Sequence, residues 1–384
     1  MSIYQDELGI MWFGSTEGLN RYNGREIEVF RPSWHLPGLS RNTIYNICGN
    51  KSGAMYLQNE QDLVRYDTYT QKFENIHRKN VNAIAYAHDM LWVVVKSCIM
   101  QYDERTKQLK EYITLNKNIT NISSVYPAKD GTIWIGTNQG LVSVSGKNPD
   151  KQKFVIEKIH VNSIYQDKNE NLWIGTQEGV FMIDHTSEHI VNYQHLQGTN
   201  SLSNNQVRNF VEDDTGNMWI ATFYGLNQFN PKTKQWKQYI NNDNISHSLS
   251  HSSVFSLYKD EQGTIWVGTY FGGINYFNPE ADIFQFYEPN STIPDHLSFP
   301  YVSMMTEDKH GNLWVCTEGG TLNCLNLNTR QFSRYMYQPD SKSKIGYNQK
   351  SICYRADKDL LYIGIHNGGL AILDTKTKVV KILT

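Results

Sequence analysis

Histidines and carboxylates are the residues of this 384-residue chain with which hydrolytic or metal chemistry could be built. The sequence contains no His-Glu-x-x-His, Gly-x-Ser-x-Gly, P-loop or Gly-x-Gly-x-x-Gly motif. Two His-x-x-x-His spacings, His185 with His189 and His247 with His251, fall in predicted loops, where this spacing does not place both rings on one face. We therefore predict no catalytic residue, no metal site and no cofactor.

Many of the carboxylates recur at one position of a repeated turn of the form Asp-x-x-Gly, as in Asp260 to Gly263. An aspartate there can accept hydrogen bonds from the backbone ahead of it, and glycine can adopt a positive φ. Recurrence at one place in unit after unit favours this capping role over paired acid and base catalysis. The six aspartates are Asp6, Asp130, Asp167, Asp213, Asp260 and Asp308.

An aromatic anchor follows each of these turns and recurs along the whole chain. Successive anchors are 36 to 48 residues apart, and seven of the nine tryptophans occupy this position, which chance composition does not produce. A large apolar ring in a short apolar strand is expected to pack between neighbouring sheets as core. The nine anchors are Trp12, Tyr56, Trp92, Trp134, Trp173, Trp219, Trp266, Trp314 and Tyr362.

Each unit is predicted to contain four short antiparallel strands. The Asp-x-x-Gly turn closes the first hairpin, and a Thr-x-x-Gly turn such as Thr222 to Gly225 closes the second. An Asn-Pro pair such as Asn230-Pro231 then begins a further turn. Four strands per unit without helical periodicity predict an all-β protein, a β-propeller of nine repeats. About seven repeats (1–293) could close one ring while 294–384 begin a second, or all nine could form a single larger ring.

The strand order also predicts where a binding surface lies. Because antiparallel strands reverse direction, the crossover between sheets and the Thr-x-x-Gly turn emerge on the same rim. Aromatic pairs occupy two of these turns where other units carry small or polar residues, and polar side chains flank them. Aromatic faces and paired donors and acceptors suit a sugar, although a partner protein or plain loop packing would also use them. The predicted ligand-binding residues are Phe223, Tyr224, Tyr270, Phe271, Arg208, Asn205, His251, Glu178, Glu318 and His366.

Composition restricts the remaining classes of function. The formal net charge is −2, which gives no electrostatic reason to expect nucleic-acid binding. Five scattered cysteines without a CxxC pair indicate neither a disulfide framework nor a zinc site. The sequence has no signal peptide, and because Met1 lies within the first repeat we interpret its start as truncated.

The repeated line, seen from Asp130 to Leu141 and from Asp260 to Asn278, resembles the two-component regulator propeller repeat. Such repeats form the periplasmic sensor region of hybrid two-component histidine kinases of Bacteroidetes. The resemblance implies a periplasmic sensor of oligosaccharides, with a neighbouring propeller or β-sandwich of the same sensor as partner. Any kinase activity would belong to other domains.

Two other functions remain open from the sequence. A protein-interaction scaffold, including a homodimer, would use the aromatic rim for docking. A carbohydrate-active propeller enzyme would need convergent carboxylates at the mouth of the channel, and the sequence offers no distinctive pair.

Overall fold

The computed structural model describes residues 2–33, 38–60, 62–198, 200–243, 245, 248–280, 287, 289–290, 295–335 and 348–383. Within these ranges every regular element is a β-strand, and the strands form nine antiparallel sheets. Each sheet is a meander of consecutive strands, four in eight sheets and three described strands in the seventh. The predicted all-β propeller architecture is confirmed. In the described part of the chain, no helix has the length and apolar character needed to cross a membrane.

The first four sheets contain sixteen strands in chain order. Sheet 1 has β1 (Ser2–Gln5), β2 (Met11–Ser15), β3 (Gly18–Tyr22) and β4 (Ile27–Phe30); sheet 2 has β5 (Ile44–Gly49), β6 (Ala54–Asn59), β7 (Asp62–Asp67) and β8 (Lys72–His77). Sheet 3 has β9 (Val81–Ala87), β10 (Met90–Val95), β11 (Cys98–Asp103) and β12 (Gln108–Thr114); sheet 4 has β13 (Ile122–Pro127), β14 (Thr132–Thr137), β15 (Gly140–Ser145) and β16 (Gln152–Glu157).

The remaining five sheets follow the same plan. Sheet 5 has β17 (Val161–Gln166), β18 (Leu172–Thr176), β19 (Val180–Ile183) and β20 (Ile190–Tyr193); sheet 6 has β21 (Val207–Glu212), β22 (Met218–Thr222), β23 (Gly225–Asn230) and β24 (Gln235–Tyr239); sheet 7 has β25 (Val254–Lys259), β26 (Ile265–Thr269) and β27 (Ile274–Phe277). Sheet 8 has β28 (Val302–Glu307), β29 (Asn312–Thr317), β30 (Leu322–Asn326) and β31 (Phe332–Tyr335); sheet 9 has β32 (Gln349–Arg355), β33 (Leu360–Ile365), β34 (Gly369–Asp374) and β35 (Val380–Leu383).

Sheets 1 to 7 close a ring. The innermost strand of each sheet contacts that of the next, and β25 of sheet 7 contacts β1 of sheet 1. Two hydrogen bonds join the closing pair: the Glu261 backbone N–H donates to Gln5 Oε1 (3.0 Å), and Gln5 Nε2 donates to Gln262 Oε1 (3.3 Å). The rings of Phe13 and Trp266 pack across the same boundary, with centroids 5.9 Å apart. Because sheet 1 follows sheet 7 in space, this ring contains seven sheets.

Contacts divide the chain into two compact units, 1–281 and 282–384. The second unit contains sheets 8 and 9, whose innermost strands β28 and β32 contact each other. Its core contains Trp314 and Leu322 from sheet 8 with Ile352, Leu361 and Ile363 from sheet 9.

The nine aromatic anchors all lie on the second strand of their sheets. Trp12, Tyr56, Trp92, Trp173, Trp219 and Trp314 are buried, and Trp134, Trp266 and Tyr362 are half-buried. Where an anchor ring contacts an aromatic ring of another sheet, that sheet is the following one, as in Trp219 against Phe277 of sheet 7 (4.8 Å between centroids). This packing between sheets supplies most of the apolar core.

The turn aspartates cap the backbone, and five of the six also hold the anchors. The exception is Asp130, which lies four residues before Trp134, whereas the others lie six residues before their tryptophans. Asp213 Oδ1 accepts from the backbone N–H groups of Thr215 (3.0 Å) and Asn217 (2.8 Å), and its Oδ2 accepts from the Trp219 indole N–H (2.8 Å). The same carboxylate-to-indole bond, 2.7 or 2.8 Å long, occurs at four other pairs: Asp6 with Trp12, Asp167 with Trp173, Asp260 with Trp266 and Asp308 with Trp314. Although burial alone would raise it, hydrogen bonds from Thr215, Trp219 and Asn217 hold the pKa of Asp213 below its usual value.

Candidate functional site

The Thr-x-x-Gly turns lie beside the crossover loops on one rim of the seven-sheet ring. The backbone N–H of Phe223 donates to Gln206 O, and that of Tyr270 donates to Ser253 O, both at 2.9 Å. In the turn of sheet 6, Thr222 Oγ1 donates to Gly225 O (2.8 Å). Gly225 has a φ of +116°, in the range that favours glycine. These turns bring the aromatic pairs next to the start of each innermost strand.

Each innermost strand from sheet 2 to sheet 7 has a register irregularity near its start. The extra residue of such a β-bulge is left out of the ladder and its side chain is re-aimed. In this ring the bulge residues line the central channel at the rim, and we call this set the bulge ring: Tyr45, Asn82, Ser123, Asn162, Arg208 and Phe255.

Side chains of the bulge ring tie successive sheets together. Ser123 Oγ donates to Val161 O (2.6 Å), and Asn162 Nδ2 donates to Val207 O (2.8 Å). Arg208 Nη1 donates in the same way to the carbonyl of the next sheet, Val254 O (3.3 Å). The accepting carbonyl precedes the bulge residue of the next strand, so a bulge residue of one sheet satisfies a backbone group beside the bulge of its neighbour.

Arg208 is the centre of an aromatic cluster at this rim. Its guanidinium carbon lies 4.0 Å from the centroid of the Phe255 ring and 5.0 Å from that of Phe223. Phe255 stacks on Tyr270, with centroids 5.6 Å apart and planes 19° apart, and Tyr270 packs edge-on against Phe271 at 4.2 Å. Burial lowers the pKa of Arg208, which nevertheless remains a cation because guanidinium does not deprotonate in proteins.

The central channel opens beside this cluster. A cavity of about 840 Å³ is lined by the innermost strands of all seven sheets. A second cavity of about 340 Å³ is lined by Asn162, Gln177, Gln206, Arg208 and Phe255. Three carboxamides, one cation and one aromatic ring therefore meet in a single concave site with polar groups of both donor and acceptor type.

The other residues predicted for the rim of sheets 5 to 7 have simpler surroundings. His251 contacts Phe271, and its Nδ1 accepts from the Ser253 backbone N–H (3.0 Å). Asn205 fixes a loop, because its Oδ1 accepts from the His195 backbone N–H (2.6 Å). Tyr224 is 52% exposed and contacts no other aromatic ring in the described ranges. Glu178 is exposed, and its neighbour Gln177 lines the smaller cavity instead.

The last two predicted site residues, Glu318 and His366, belong to the second unit. Glu318 Oε2 pairs with Lys350 Nζ at 2.7 Å, and the His366 backbone N–H donates to Asn348 O (2.9 Å). The site in the first unit is built without them.

Of the histidine pairs considered for a metal, His185 pairs with Glu170 (Nε2 to Oε2, 3.1 Å), while His247 lies outside the described residues. Within the described segments, no three His, Cys, Asp or Glu side chains come together as a metal site would require.

Sequence reasoning missed Phe255 and the bulge ring as a set. Phe255 looks like an ordinary apolar residue of a buried strand, and the pattern of side chains alone does not reveal a bulge. The signal that could have found it is positional: the second residue of each innermost strand is variable in type, from Ser123 and Asn162 to Arg208 and Phe255.

The seven-sheet ring with its open polar channel defines the chain as a β-propeller protein. It belongs to the family described as a domain of unknown function, DUF5074, whose model matches residues 36–285. Residues 296–319 match the two component regulator propeller, so the predicted resemblance to this repeat is confirmed.

Solved structures share this fold. The extracellular domain of the putative hybrid two component system BT4673 from B. thetaiotaomicron aligns with a TM-score of 0.62 and 21% identity over 98% of this chain. The chain spans 56% of the length of that structure. The WD40 β-propeller domain of Doa1 aligns with a TM-score of 0.55 and 10% identity, covering 71% of this chain and 90% of that one. No curated protein matches the sequence.

Proposed function

We propose that this chain is a ligand-recognition module of a hybrid two-component histidine kinase, and that it binds an oligosaccharide at the rim of the seven-sheet ring. The observation that carries the proposal is the cavity of about 340 Å³ in which Arg208 and Phe255 meet the carboxamides of Asn162, Gln177 and Gln206. Sugars present C–H faces that stack on aromatic rings and hydroxyls that need paired donors and acceptors. The lining supplies both.

The exposure of the neighbouring aromatic side chains supports the same proposal. Phe223, Tyr224, Tyr270 and Phe271 expose 49%, 52%, 53% and 79% of their surfaces. Exposed aromatic clusters on a soluble fold mark contact surfaces more often than they mark packing. Tyr270 lies where a sugar ring entering from the rim would meet an aromatic face.

The cellular context is proposed from the resemblance to sensor propellers. The module would lie in the periplasm, beside a neighbouring propeller or β-sandwich of the same sensor, and sheets 8 and 9 would begin a second propeller. Signal output would come from a kinase elsewhere in the protein, so this chain would itself catalyse no reaction.

Binding of a glycan panel tests the proposal. The purified chain is titrated with neutral and acidic oligosaccharides of two to six sugars, and binding is followed by calorimetry. We expect at least one ligand to bind, and the double variant Tyr224→Ala/Tyr270→Ala to bind it at least tenfold more weakly with a nearly unchanged melting temperature. Tyr69→Ala is the matched control, because this tyrosine is 64% exposed in a β7–β8 turn on the opposite rim.

Two results would contradict the proposal. One is the absence of binding by every glycan in the panel. The other is unchanged affinity in the double variant together with a lower melting temperature, which would mean that these tyrosines are packing residues. If no glycan binds and the double variant loses association with a neighbouring sensor domain, the rim is a docking surface instead.

A further inference from the structure

The channel lining carries a positive charge that no described carboxylate balances. Three charged residues line the large cavity: Glu60, Lys96 and Arg208. Glu60 is already paired with Arg41, with 3.5 Å between Oε2 and Nη1. Neither Lys96 nor Arg208 has a carboxylate oxygen within 4 Å among the residues that the structure describes. Among the described residues, the lining therefore has two cations without a carboxylate partner and one acid, Glu60, whose partner Arg41 is not part of the lining.

Arg208 is also held so that one edge of its guanidinium is free. Nη1 is occupied, because it donates to Ser253 Oγ (2.9 Å) and Val254 O (3.3 Å). Nε and Nη2 have no acceptor in the described part of the chain. These two groups lie on the same edge of the planar guanidinium and form the fork that binds a carboxylate through two parallel hydrogen bonds. Contacts with Phe223 and Phe255 hold the plane of the group.

The hydrogen bond that a bulge residue makes to the next sheet does not require an arginine. At the same place in sheets 4 and 5, Ser123 and Asn162 tie the next sheet with one short donor each. Arg208 uses one nitrogen for that bond and keeps the rest of its donors at the edge of the smaller cavity. Arg208 is a partly buried cation with unused donors in a polar site. Such a group is suited to bind a ligand that carries a negative charge.

We infer that the ligand is an acidic oligosaccharide, a sugar chain bearing a uronic-acid carboxylate that binds the free Nε and Nη2 edge of Arg208. This inference rests on the proposed function and specifies the chemical class of the ligand. The carboxylate completes the hydrogen bonding of Arg208, the hydroxyls meet Asn162, Gln177 and Gln206, and Lys96 adds attraction from across the channel.

Carboxyl reduction of the ligand tests the inference on the unaltered protein. The probes are di- to tetrasaccharides of polygalacturonate, alginate and hyaluronan, each compared with its carboxyl-reduced, neutral form. We expect at least one acidic probe to bind, its reduced form to bind at least tenfold more weakly, and its affinity to fall as salt rises. Equal binding of acidic and reduced forms would overturn the inference while leaving the proposed function standing. Absence of binding by every acidic probe would overturn it as well.

Two variants of Arg208 locate the carboxylate. Arg208→Asn keeps a donor for Val254 O, as Asn162 does for Val207 O, so we expect its melting temperature to stay near that of the parent. It should lose at least tenfold in affinity for the acidic probe and much less for the reduced one, which has no carboxylate to bind the guanidinium. Arg208→Lys keeps the charge without the fork, so its affinity should lie between the two. Unchanged affinity for the acidic probe in Arg208→Asn would show that the carboxylate binds elsewhere.

Discussion

Replacing Asp213 by asparagine removes the charge from a side chain that accepts five hydrogen bonds while only 1% exposed. Its Oδ1 accepts from Thr215 and Asn217, and its Oδ2 accepts from the Asn217 amide (3.1 Å) and the Trp219 indole (2.8 Å). An asparagine has one acceptor oxygen, so its NH₂ group must face donors on one side. Two bonds to a charged acceptor are lost and a buried indole N–H is left unpaired.

The expected decrease in the free energy of unfolding follows from the energies of these hydrogen bonds. A hydrogen bond to a charged group contributes about 1.5–3 kcal/mol, and an unpaired buried donor costs about 1–3 kcal/mol. With partial relaxation, the free energy of unfolding of Asp213→Asn should fall by about 3 kcal/mol. Equilibrium unfolding in urea, followed by tryptophan fluorescence, measures this through the shift of the midpoint at unchanged slope.

Asp130→Asn is the control, because this aspartate lies in the corresponding turn of sheet 4 but four residues before its tryptophan rather than six, so the equivalent of Asp213 there is Ala128. It is exposed and accepts only from the backbone N–H (2.8 Å) and the hydroxyl (3.0 Å) of Thr132. The oxygen of an asparagine can keep the bond from the Thr132 N–H, and its NH₂ group can donate to the Thr132 hydroxyl, so the change should stay within about 0.5 kcal/mol. Equal and small losses in the two variants would refute the view that the carboxylate-to-indole bond stabilises the sheets.

Three further predictions concern the ring. Because the pKa of Asp213 is lowered in the folded state, its contribution to stability is complete above the usual aspartate pKa of 3.8 and is lost as pH falls through the lower folded pKa. The urea midpoint, measured as the pH is lowered, should therefore fall less steeply in Asp213→Asn than in the parent. Trp173→Ala, which empties a site 2% exposed, should cost about 3–5 kcal/mol in thermal or urea unfolding, and Trp266→Ala, at a half-buried site, should fall at the lower end of that range. A new Cβ at Gly140 (φ +148°) would lie 2.0 Å from a backbone oxygen of the neighbouring strand, whereas at Gly131 (φ +87°) it meets nothing within 4 Å, so Gly140→Ala should lower the melting temperature far more than Gly131→Ala.

The sheets could be predicted from the repeat, whereas the number of sheets that close the ring could not. Anchors such as Trp173 and Trp219 mark the second strand of each unit because an apolar ring is needed between sheets wherever two of them pack. The number of sheets in a ring depends on the angle between neighbours, which is the sum of many small packing choices that spacing does not encode. The contact between Phe13 and Trp266 closes the ring, yet the two residues are 253 positions apart in the sequence and no local pattern predicts their contact.

The rim was predictable as a region but not as a set of contacts. Strand order places Phe223 and Tyr270 beside the crossover loops, since antiparallel strands must alternate in direction. It does not say whether the first or second residue of a turn faces the channel, and Gln177 rather than Glu178 lines the smaller cavity. Phe255 reaches the rim because of a bulge. A bulge is a change in how two strands pair, and the residue types alone do not reveal it.

The bulge ring explains how one fold can present different chemistry at the same place. Each bulge removes a residue from the ladder, and beside the bulges of sheets 5, 6 and 7 a single donor from the preceding sheet satisfies a carbonyl. Any side chain with one suitable donor meets this requirement, so the rest of the side chain is free to vary without loss of the sheet-to-sheet tie. Arg208 meets it with Nη1 alone. Its Nε and Nη2 donors are therefore available to a ligand.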